Sequence, residues 1–252
     1  MFGSIFRNMP QVTKNLLIIN VLLFLAKIVL VNQAINLDEY LAMHYPTSPF
    51  FYPHQIVTSV FMHGDFTHLL FNMFGVVFVG SHLERIWGSK RYLIFYMFSA
   101  IGGVICATGI HAIEMYQAAG SLVPDITLSA EHFLDGQGDW MVSYNYANLG
   151  GYEAEQLKSI INISLGQSLG ASGALYGVLM AFAMLFPNTE FMLIFPPIPI
   201  KAKWLALILG GFAVYSGVTG TAEGIGHFGH LGGMLFGFIL IKIWQKDKTK
   251  FY

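Results

Sequence analysis

Six long apolar stretches constrain the fold of this chain more than any other feature of its sequence. A hydrocarbon layer about 30 Å thick is crossed by roughly 20 residues of α-helix. Within that layer each segment must satisfy its own backbone polar groups, which a helix does. The stretches cover residues 14–33, 56–80, 91–114, 167–187, 203–219 and 227–245. The sequence therefore predicts an all-α, polytopic membrane protein built as a bundle of six transmembrane helices.

The composition agrees with a lipid-embedded chain and excludes several functional classes. Only 11% of the 252 residues are charged and the mean hydropathy is +0.58, whereas a soluble domain has about 25% charged residues. The net charge of −1 lacks the basic excess of nucleic-acid-binding proteins, so we expect a lipid bilayer and no nucleic acid as partner. The single cysteine, Cys106, excludes an internal disulfide framework and a cysteine-based metal cluster.

The distribution of basic residues predicts the orientation in the membrane. Six spans place both termini on one side, and cytoplasmic loops carry an excess of Lys and Arg. Lys27 lies inside the first stretch and Lys158 lies in a loop on the opposite side. The other 11 of the 13 basic residues share the side of the termini: Arg7, Lys14, Arg85, Lys90, Arg91, Lys201, Lys203, Lys242, Lys246, Lys248 and Lys250. We therefore expect a multi-pass protein of the cell (inner) membrane with both termini cytoplasmic.

Two sizeable connections lie on the outer side in this topology, over residues 34–55 and 115–166. The longer connection is polar, and its segment from Glu153 to Ile163 has a helical composition. A polar excursion of about 50 residues is more often a surface or partner contact than a chemical centre. The chain has no repeat of solenoid period, so we expect a single domain over residues 1–252 with an extended outer loop at about 115–166.

Polar side chains inside the apolar stretches carry the functional information, because each is costly in hydrocarbon unless it faces the bundle interior, water or a partner. They fall into three clusters: His63, His68 and Asn72 in the second stretch, Gly170 and Ser172 at the start of the fourth, and His227 and His230 at the start of the sixth. His68 and Asn72 are four residues apart and share a helical face. All three stretches run inward from the outer face, so these groups share a depth.

A close contact between two helices would bring a hydroxyl and an imidazole together at that depth. Small residues spaced by four positions let two helix backbones approach closely. Two such pairs occur, Gly173 with Gly177 and Gly233 with Gly237. Their contact would place Ser172 within reach of a histidine of the sixth stretch. A serine hydroxyl becomes an effective nucleophile when a base within about 2.6–3.2 Å accepts its proton, and His230 is a candidate for that base.

Other interpretations of the same residues compete with this one. Ser172 among small residues is also typical of a helix-packing position, and the histidines can be combined into a four-His metal site. No carboxylate or cysteine completes a usual ligand set, so we expect no metal and no cofactor. A proton-relaying transporter would have a repeat or broken helices at the midplane, and neither is evident. We interpret Glu84 as a structural ion-pair or helix-cap residue.

With these motifs in this order, the chain resembles the rhomboid family of intramembrane serine proteases, with a bacterial-type six-helix core, over about residues 54–240. The GASG sequence around Ser172 resembles the family's nucleophile motif, and His230 opens a sequence similar to its HxxGxxxG histidine helix. The second stretch matches the family's HxxxxHxxxN pattern with His63, His68 and Asn72. Further similarity to the structural motif that follows lies at Gly80, Glu84, Gly88, Arg91 and Tyr96.

The resemblance implies a catalytic dyad in which Ser172 is the nucleophile and His230 is the base. No acidic residue lies near either motif, so no third member is expected. The implied function is a serine endopeptidase that cleaves transmembrane protein substrates within or near a transmembrane helix, with its active site open to the outer side.

The resemblance also implies roles for the residues around the dyad. His68 and Asn72 would bind the oxyanion together with the Ser172 amide. Tyr176 would pack on the His230 ring, and His63 and Gly170 would support the site. The oligomeric state does not follow from the sequence.

The chain departs from the better-known bacterial members in two loops. His54-Gln55 stands where those proteins have a Trp-Arg pair, and the connection 115–166 is longer than the usual third loop. Neither change touches the dyad. The presence of both Ser172 and His230 argues against an inactive relative that only retains membrane clients, and the absence of HExxH excludes a site-2 type metalloprotease.

Overall fold

Long helices dominate the computed structural model, which describes residues 7–33, 35–134, 140–147, 151–192, 197–221 and 226–246. The helices are α1 Gln11–Val31, α2 Leu37–Leu41, α3 Gln55–Thr58, α4 Phe66–Gly75, α5 Ser81–Trp87, α6 Ser89–Ala119, α7 Ala154–Leu165, α8 Ser172–Leu185, α9 Ala202–Thr219 and α10 His227–Lys246. The strands are β1 Thr127–Leu134, β2 Trp140–Ala147, β3 Glu190–Met192 and β4 Pro199–Lys201. They form two antiparallel hairpins, β1 with β2 and β3 with β4.

Five helical segments among the described residues are long and apolar enough to cross a membrane: Gln11–Val31, Phe66–Trp87, Ser89–Ala119, Ala202–Thr219 and His227–Lys246. The remaining predicted span, 167–187, contains the shorter apolar helix α8 of 14 residues, which rises only about 21 Å. Many α8 side chains are buried by protein, so lipid need not surround this helix along its length. The prediction of an all-α polytopic membrane bundle is confirmed.

The second span is displaced from the predicted stretch 56–80. It begins at Phe66 because Asp65 caps the helix, with its carboxylate accepting a hydrogen bond from the His68 amide at 2.9 Å. It runs through a π-helical turn at Val76–Gly80 and ends at Trp87. Gly88 then adopts φ 77°, a left-handed conformation that glycine takes at little cost.

The chain divides into two compact units. The helical unit comprises Met1–Val21, His63–Ala107 and Gly170–Tyr252. The loop unit comprises Leu22–Met62 and Thr108–Leu169. The expectation of one domain over residues 1–252 stays a prediction.

The helical unit is organised around a close approach of α8 and α10. A Cβ atom added at Gly237 would lie 2.9 Å from the Gly177 Cα atom, and one added at Gly233 would overlap the Gly173 carbonyl. Helix α6 meets the same place, because a Cβ atom on Gly103 would lie 2.7 Å from the Gly229 carbonyl oxygen. The predicted contact between the two glycine pairs is therefore present.

A buried carboxylate closes the first turn of α1 within the helical unit. Glu84 is only 2% exposed, and its carboxylate accepts hydrogen bonds from the Val12 and Thr13 amides and the Thr13 hydroxyl, each at 2.8 Å. The Ser89 hydroxyl donates a fourth hydrogen bond at 2.6 Å. The first amides of a helix lack partners within the helix, and a negative charge is favourable at this end. Glu84 is thus a helix-cap residue, as the sequence indicated.

The loop unit contains structure that hydropathy does not reveal. Only the C-terminal part of α6, from Thr108 onward, belongs to this unit. The whole helix has 31 residues and is about 46 Å long, so it exceeds the hydrocarbon thickness. The predicted helical segment Glu153 to Ile163 is confirmed as α7, which starts with a capping box between Glu153 and Gln156. Tyr45, Met115 and Ile160 form a small buried core. The hairpin β1–β2 was not predicted from the sequence.

Gln55 holds the first loop together within the loop unit. Its fully buried amide group donates hydrogen bonds to the Phe50 carbonyl at 2.8 Å and the Glu39 carbonyl at 3.1 Å, and its oxygen accepts one from the His44 amide at 3.3 Å. Burial lowers the pKa of His44 below its ordinary value of 6.5. The neutral ring is therefore the native form, and this loop loses stability as the pH falls below that value.

Candidate active site

The candidate site lies where α4, α8 and α10 begin, and every site residue named from the sequence belongs to the helical unit. Ser172 is the first residue of α8 and follows Ala171, which occupies the N-cap position. Gly170 adopts φ 119°, a backbone conformation that residues with a side chain rarely take. The turn before the helix thus presents the Ser172 hydroxyl at the helix N-terminus.

Ser172 and His230 are hydrogen-bonded although they are 58 positions apart in the chain. The distance from His230 Nε2 to Ser172 Oγ is 2.8 Å. The glycine contacts between α8 and α10 bring the two backbones close enough for these side chains to meet. When Nε2 is unprotonated it accepts the hydroxyl proton, which is the arrangement that activates a serine.

The His230 ring is fixed by stacking. The Tyr176 ring lies parallel to it, with ring centroids 4.2 Å apart and an interplanar angle of 9°. His230 Nδ1 is buried and has no hydrogen-bond partner among the described residues. The ring is therefore oriented by an aromatic face, without a carboxylate behind it in the described part of the chain.

His227 lies beside His230 but has a different environment. The two rings are perpendicular with centroids 6.4 Å apart, and the His227 ring also meets the Phe212 ring edge-on at 6.1 Å. Three residues along a helix separate side chains by about 60°, which the sequence alone could not resolve. The observed hydrogen bond selects His230 as the partner of Ser172.

Helix α4 and the segment before it contribute three polar side chains, with His68 and Asn72 in the helix and His63 three residues before it. Asn72 is 3% exposed and its amide nitrogen has no hydrogen-bond partner among the described residues. His63 is also buried, and its ring meets the half-buried His68 ring edge-on, with centroids 5.1 Å apart. A buried amide donor without a partner costs about 1–3 kcal/mol, so Asn72 is a group that a bound acceptor would satisfy.

Gly170 lies next to both His68 of α4 and Ser172 of α8. A Cβ atom added to Gly170 would lie 2.7 Å from His68 Cε1 and 2.8 Å from His68 Nε2, and 3.7 Å from Ser172 Oγ. The imidazole of His68 therefore packs directly over the bare Gly170 backbone. The Nε2 atom and the serine hydroxyl border the same small space.

The approach of Gly103 to α8 and α10 was not predicted from the sequence. Gly103 of α6 approaches both the Gly229 carbonyl and the Gly173 Cα atom. The adjacent pair Gly102 and Gly103 within an apolar stretch was the available signal, because small residues are enriched where membrane helices pack closely.

Among the described residues, no group of three or more His, Cys, Asp or Glu side chains is arranged to hold a metal ion.

Comparison with known proteins gives similar relatives over most of the chain. "Rhomboid protein 1, mitochondrial" of Saccharomyces cerevisiae is 29% identical over 202 residues, 77% of this chain and 44% of the relative. "RHOMBOID-like protein 12, mitochondrial" of Arabidopsis thaliana is 27% identical over 202 residues, 79% of this chain and 48% of the relative. The chain thus spans less than half the length of both. "Putative rhomboid protease YdcA" of Bacillus subtilis is 39% identical over 51 residues, 20% of this chain and 26% of the relative.

A family model covers nearly all of the sequence. The model described as "Eukaryotic integral membrane protein (DUF1751)" matches residues 14–251. The match agrees with the membrane-spanning helices of the structure and with the rhomboid names of the relatives. The chain is a multi-pass integral membrane protein that belongs to the rhomboid family.

Proposed function

We propose that this protein is an intramembrane serine endopeptidase that cleaves membrane proteins within or near a transmembrane helix. The observation that carries the proposal is the 2.8 Å hydrogen bond between Ser172 Oγ and His230 Nε2. A packing serine needs no imidazole at that distance, whereas a serine nucleophile does. The stacked Tyr176 ring supports the same assignment, because a base must be held in one orientation to accept the proton.

In the proposed mechanism Ser172 Oγ attacks the carbonyl carbon of the scissile peptide bond. His230 Nε2 takes the hydroxyl proton as the bond forms and then gives it to the leaving amine. Water attacks the acyl-enzyme in a second half-reaction with the same base, and this frees the new carboxyl terminus. Tyr176 replaces an acidic third member by fixing the ring from one face.

We assign the oxyanion site to Asn72, His68 and the backbone amide of Ser172. The unpartnered amide nitrogen of Asn72 and the position of His68 Nε2 near Ser172 Oγ support this assignment. A tetrahedral intermediate would supply the acceptor that Asn72 lacks. One such donor contributes about 2.7–4 kcal/mol to transition-state stabilisation in comparable sites. His63 supports His68 through the edge-on contact of their rings.

The proposed substrates are transmembrane proteins with small residues near one end of the helix. In a regular helix the carbonyl is hydrogen-bonded and shielded, so the segment that reaches Ser172 must first unwind. A nearby Gly or Pro lowers the cost of unwinding by roughly 1–3 kcal/mol. We expect such segments to be cleaved in preference to uninterrupted helices.

The location is also a proposal. Two relatives that match about three quarters of the chain have mitochondrial names and the family model is described as eukaryotic, so we propose an organelle membrane in place of the cell membrane. The basic residues still indicate the side of the termini, since loops on the inner side carry the excess of Lys and Arg. Loop 115–166 and the active site would then face the opposite side.

The central prediction concerns the dyad. Ser172→Ala and His230→Ala should each lower the rate of cleavage of a model transmembrane substrate by about 10³-fold or more, since neither group works alone. The double variant should be no slower than the single variants. The rate of product formation in reconstituted vesicles measures this, with thermal unfolding in detergent as the test of folding.

The matched control for this experiment is His227→Ala. His227 lies on the same helix and is also buried, so its removal tests general damage to α10. We expect most activity to remain. An inactive His227→Ala with an active His230→Ala would reverse the assignment of the base.

A second prediction uses the backbone of Gly170. Gly170→Ala should reduce turnover by about 10²-fold, because the new methyl group would displace the His68 ring and remove an oxyanion donor. The control is Gly211→Ala, where a Cβ atom meets nothing within 4 Å. Cleavage rates and thermal unfolding of both variants are compared. Unchanged turnover in a folded Gly170→Ala protein contradicts the oxyanion assignment.

A third prediction tests the orientation. A cysteine introduced at the exposed Glu155 of α7, in a Cys106→Ala background, should react with an impermeant thiol reagent from the side opposite to the termini. The control is Lys201→Cys, which should react from the side of the termini. Labelling is measured in membranes of known sidedness. The reverse pattern would invert the topology.

A further inference from the structure

A cluster of four basic residues, here called the basic corner, lies at one end of the helical unit. Its members are Arg7, Arg85, Lys90 and Arg91. The tight turn at Gly88 brings the last turn of α5 next to the first turn of α6. Arg85 Nη2 donates a hydrogen bond to the Asn8 carbonyl at 3.2 Å, which places the neighbouring Arg7 at the same corner.

Two tryptophan side chains pack against the basic corner. The Arg91 guanidinium lies over the Trp244 ring at 4.2 Å from its centroid. Trp244 meets the Trp87 ring edge-on at 5.6 Å. Tryptophan is enriched at the boundary between lipid and water, so these contacts put the corner at the level of lipid headgroups.

The exposed cations of the basic corner, Arg7, Arg85 and Lys90, are available to an external anion. The Glu84 carboxylate is adjacent in sequence but is turned inward, where it accepts hydrogen bonds from Val12, Thr13 and Ser89. Arg7, Arg85 and Lys90 are exposed, and none of these three is paired with a carboxylate among the described residues. The corner therefore presents cations to an external anion.

Exposed apolar side chains lie one helical turn from these cations. Leu93 and Ile94 are 41% and 50% exposed, and they share a face of α6 with Lys90 because residues three and four apart lie together. Ile86, beside Arg85, is also exposed. A soluble anion would make no favourable contact with this apolar surface. A phospholipid can contact the cations with its headgroup and the apolar side chains with its acyl chains.

We infer that the basic corner binds one phospholipid with an anionic headgroup. Its phosphate would lie against Arg85 and Lys90, with Arg7 beside them, and its acyl chains would lie along Leu93 and Ile94. Basic clusters at the ends of membrane helices recognise anionic lipids in this way. The proposal is independent of the proposed protease activity.

The test compares lipid binding by the full chain in detergent. Native mass spectrometry measures the dissociation constant of the first bound phosphatidylglycerol and of the first bound phosphatidylcholine. The wild type should prefer phosphatidylglycerol by about fivefold or more. The double variant Arg85→Gln/Lys90→Gln should lose most of this preference.

A matched double variant, Lys201→Gln/Lys203→Gln, removes the same charge from another part of the helical unit and should keep the preference within about twofold. Lys90→Gln alone leaves the Arg85–Asn8 contact intact and should weaken the preference if the double variant does not fold. Equal losses in both double variants, or no preference in the wild type, would overturn the proposal. Displacement of the lipid by millimolar inorganic phosphate would reassign the corner to a soluble anion.

Discussion

The close approach of α8 and α10 is the contact on which the candidate site depends. Gly173 and Gly177 meet Gly233 and Gly237 with almost no space for a side chain at the contact. In lipid the association of helices relies on packing and hydrogen bonds, because the lipid tails are as apolar as the helix side chains and the hydrophobic effect does not drive helices together. The same contact holds Ser172 Oγ and His230 Nε2 2.8 Å apart, so the geometry of the proposed dyad depends on the glycine packing.

Buried polar groups in the helical unit divide into two kinds. Glu84 has its carboxylate saturated by four hydrogen bonds from the start of α1 and from Ser89, and such a group stabilises the structure. Asn72 has a buried amide nitrogen without a partner among the described residues. An unsatisfied donor costs stability, and the proposed tetrahedral intermediate would supply the acceptor that Asn72 lacks.

Hydropathy and polar residues within apolar stretches were sufficient to predict the helical bundle and to bring Ser172 near a histidine of the last span, but not to choose between His227 and His230. They were insufficient where a local cap or a distant partner decides the structure. The second span starts at Phe66 because Asp65 caps it, and an average of hydropathy over the stretch does not detect a single capping side chain. The pairing of Glu84 with Val12 and Thr13 bridges about 70 positions without any local signal. The hairpin β1–β2 had a signal only in β2, where Trp140, Val142, Tyr144 and Tyr146 alternate with other residues, and it lies in a connection that is polar overall.

We propose that Ser172 is a nucleophile activated by His230. Incubation of the purified protein with a serine-directed fluorophosphonate probe, followed by mapping of the modified residue, tests it most directly. We expect covalent labelling at Ser172, with labelling lost in Ser172→Ala and strongly reduced in His230→Ala. Labelling of a different serine, or equal labelling of wild type and Ser172→Ala, would contradict it.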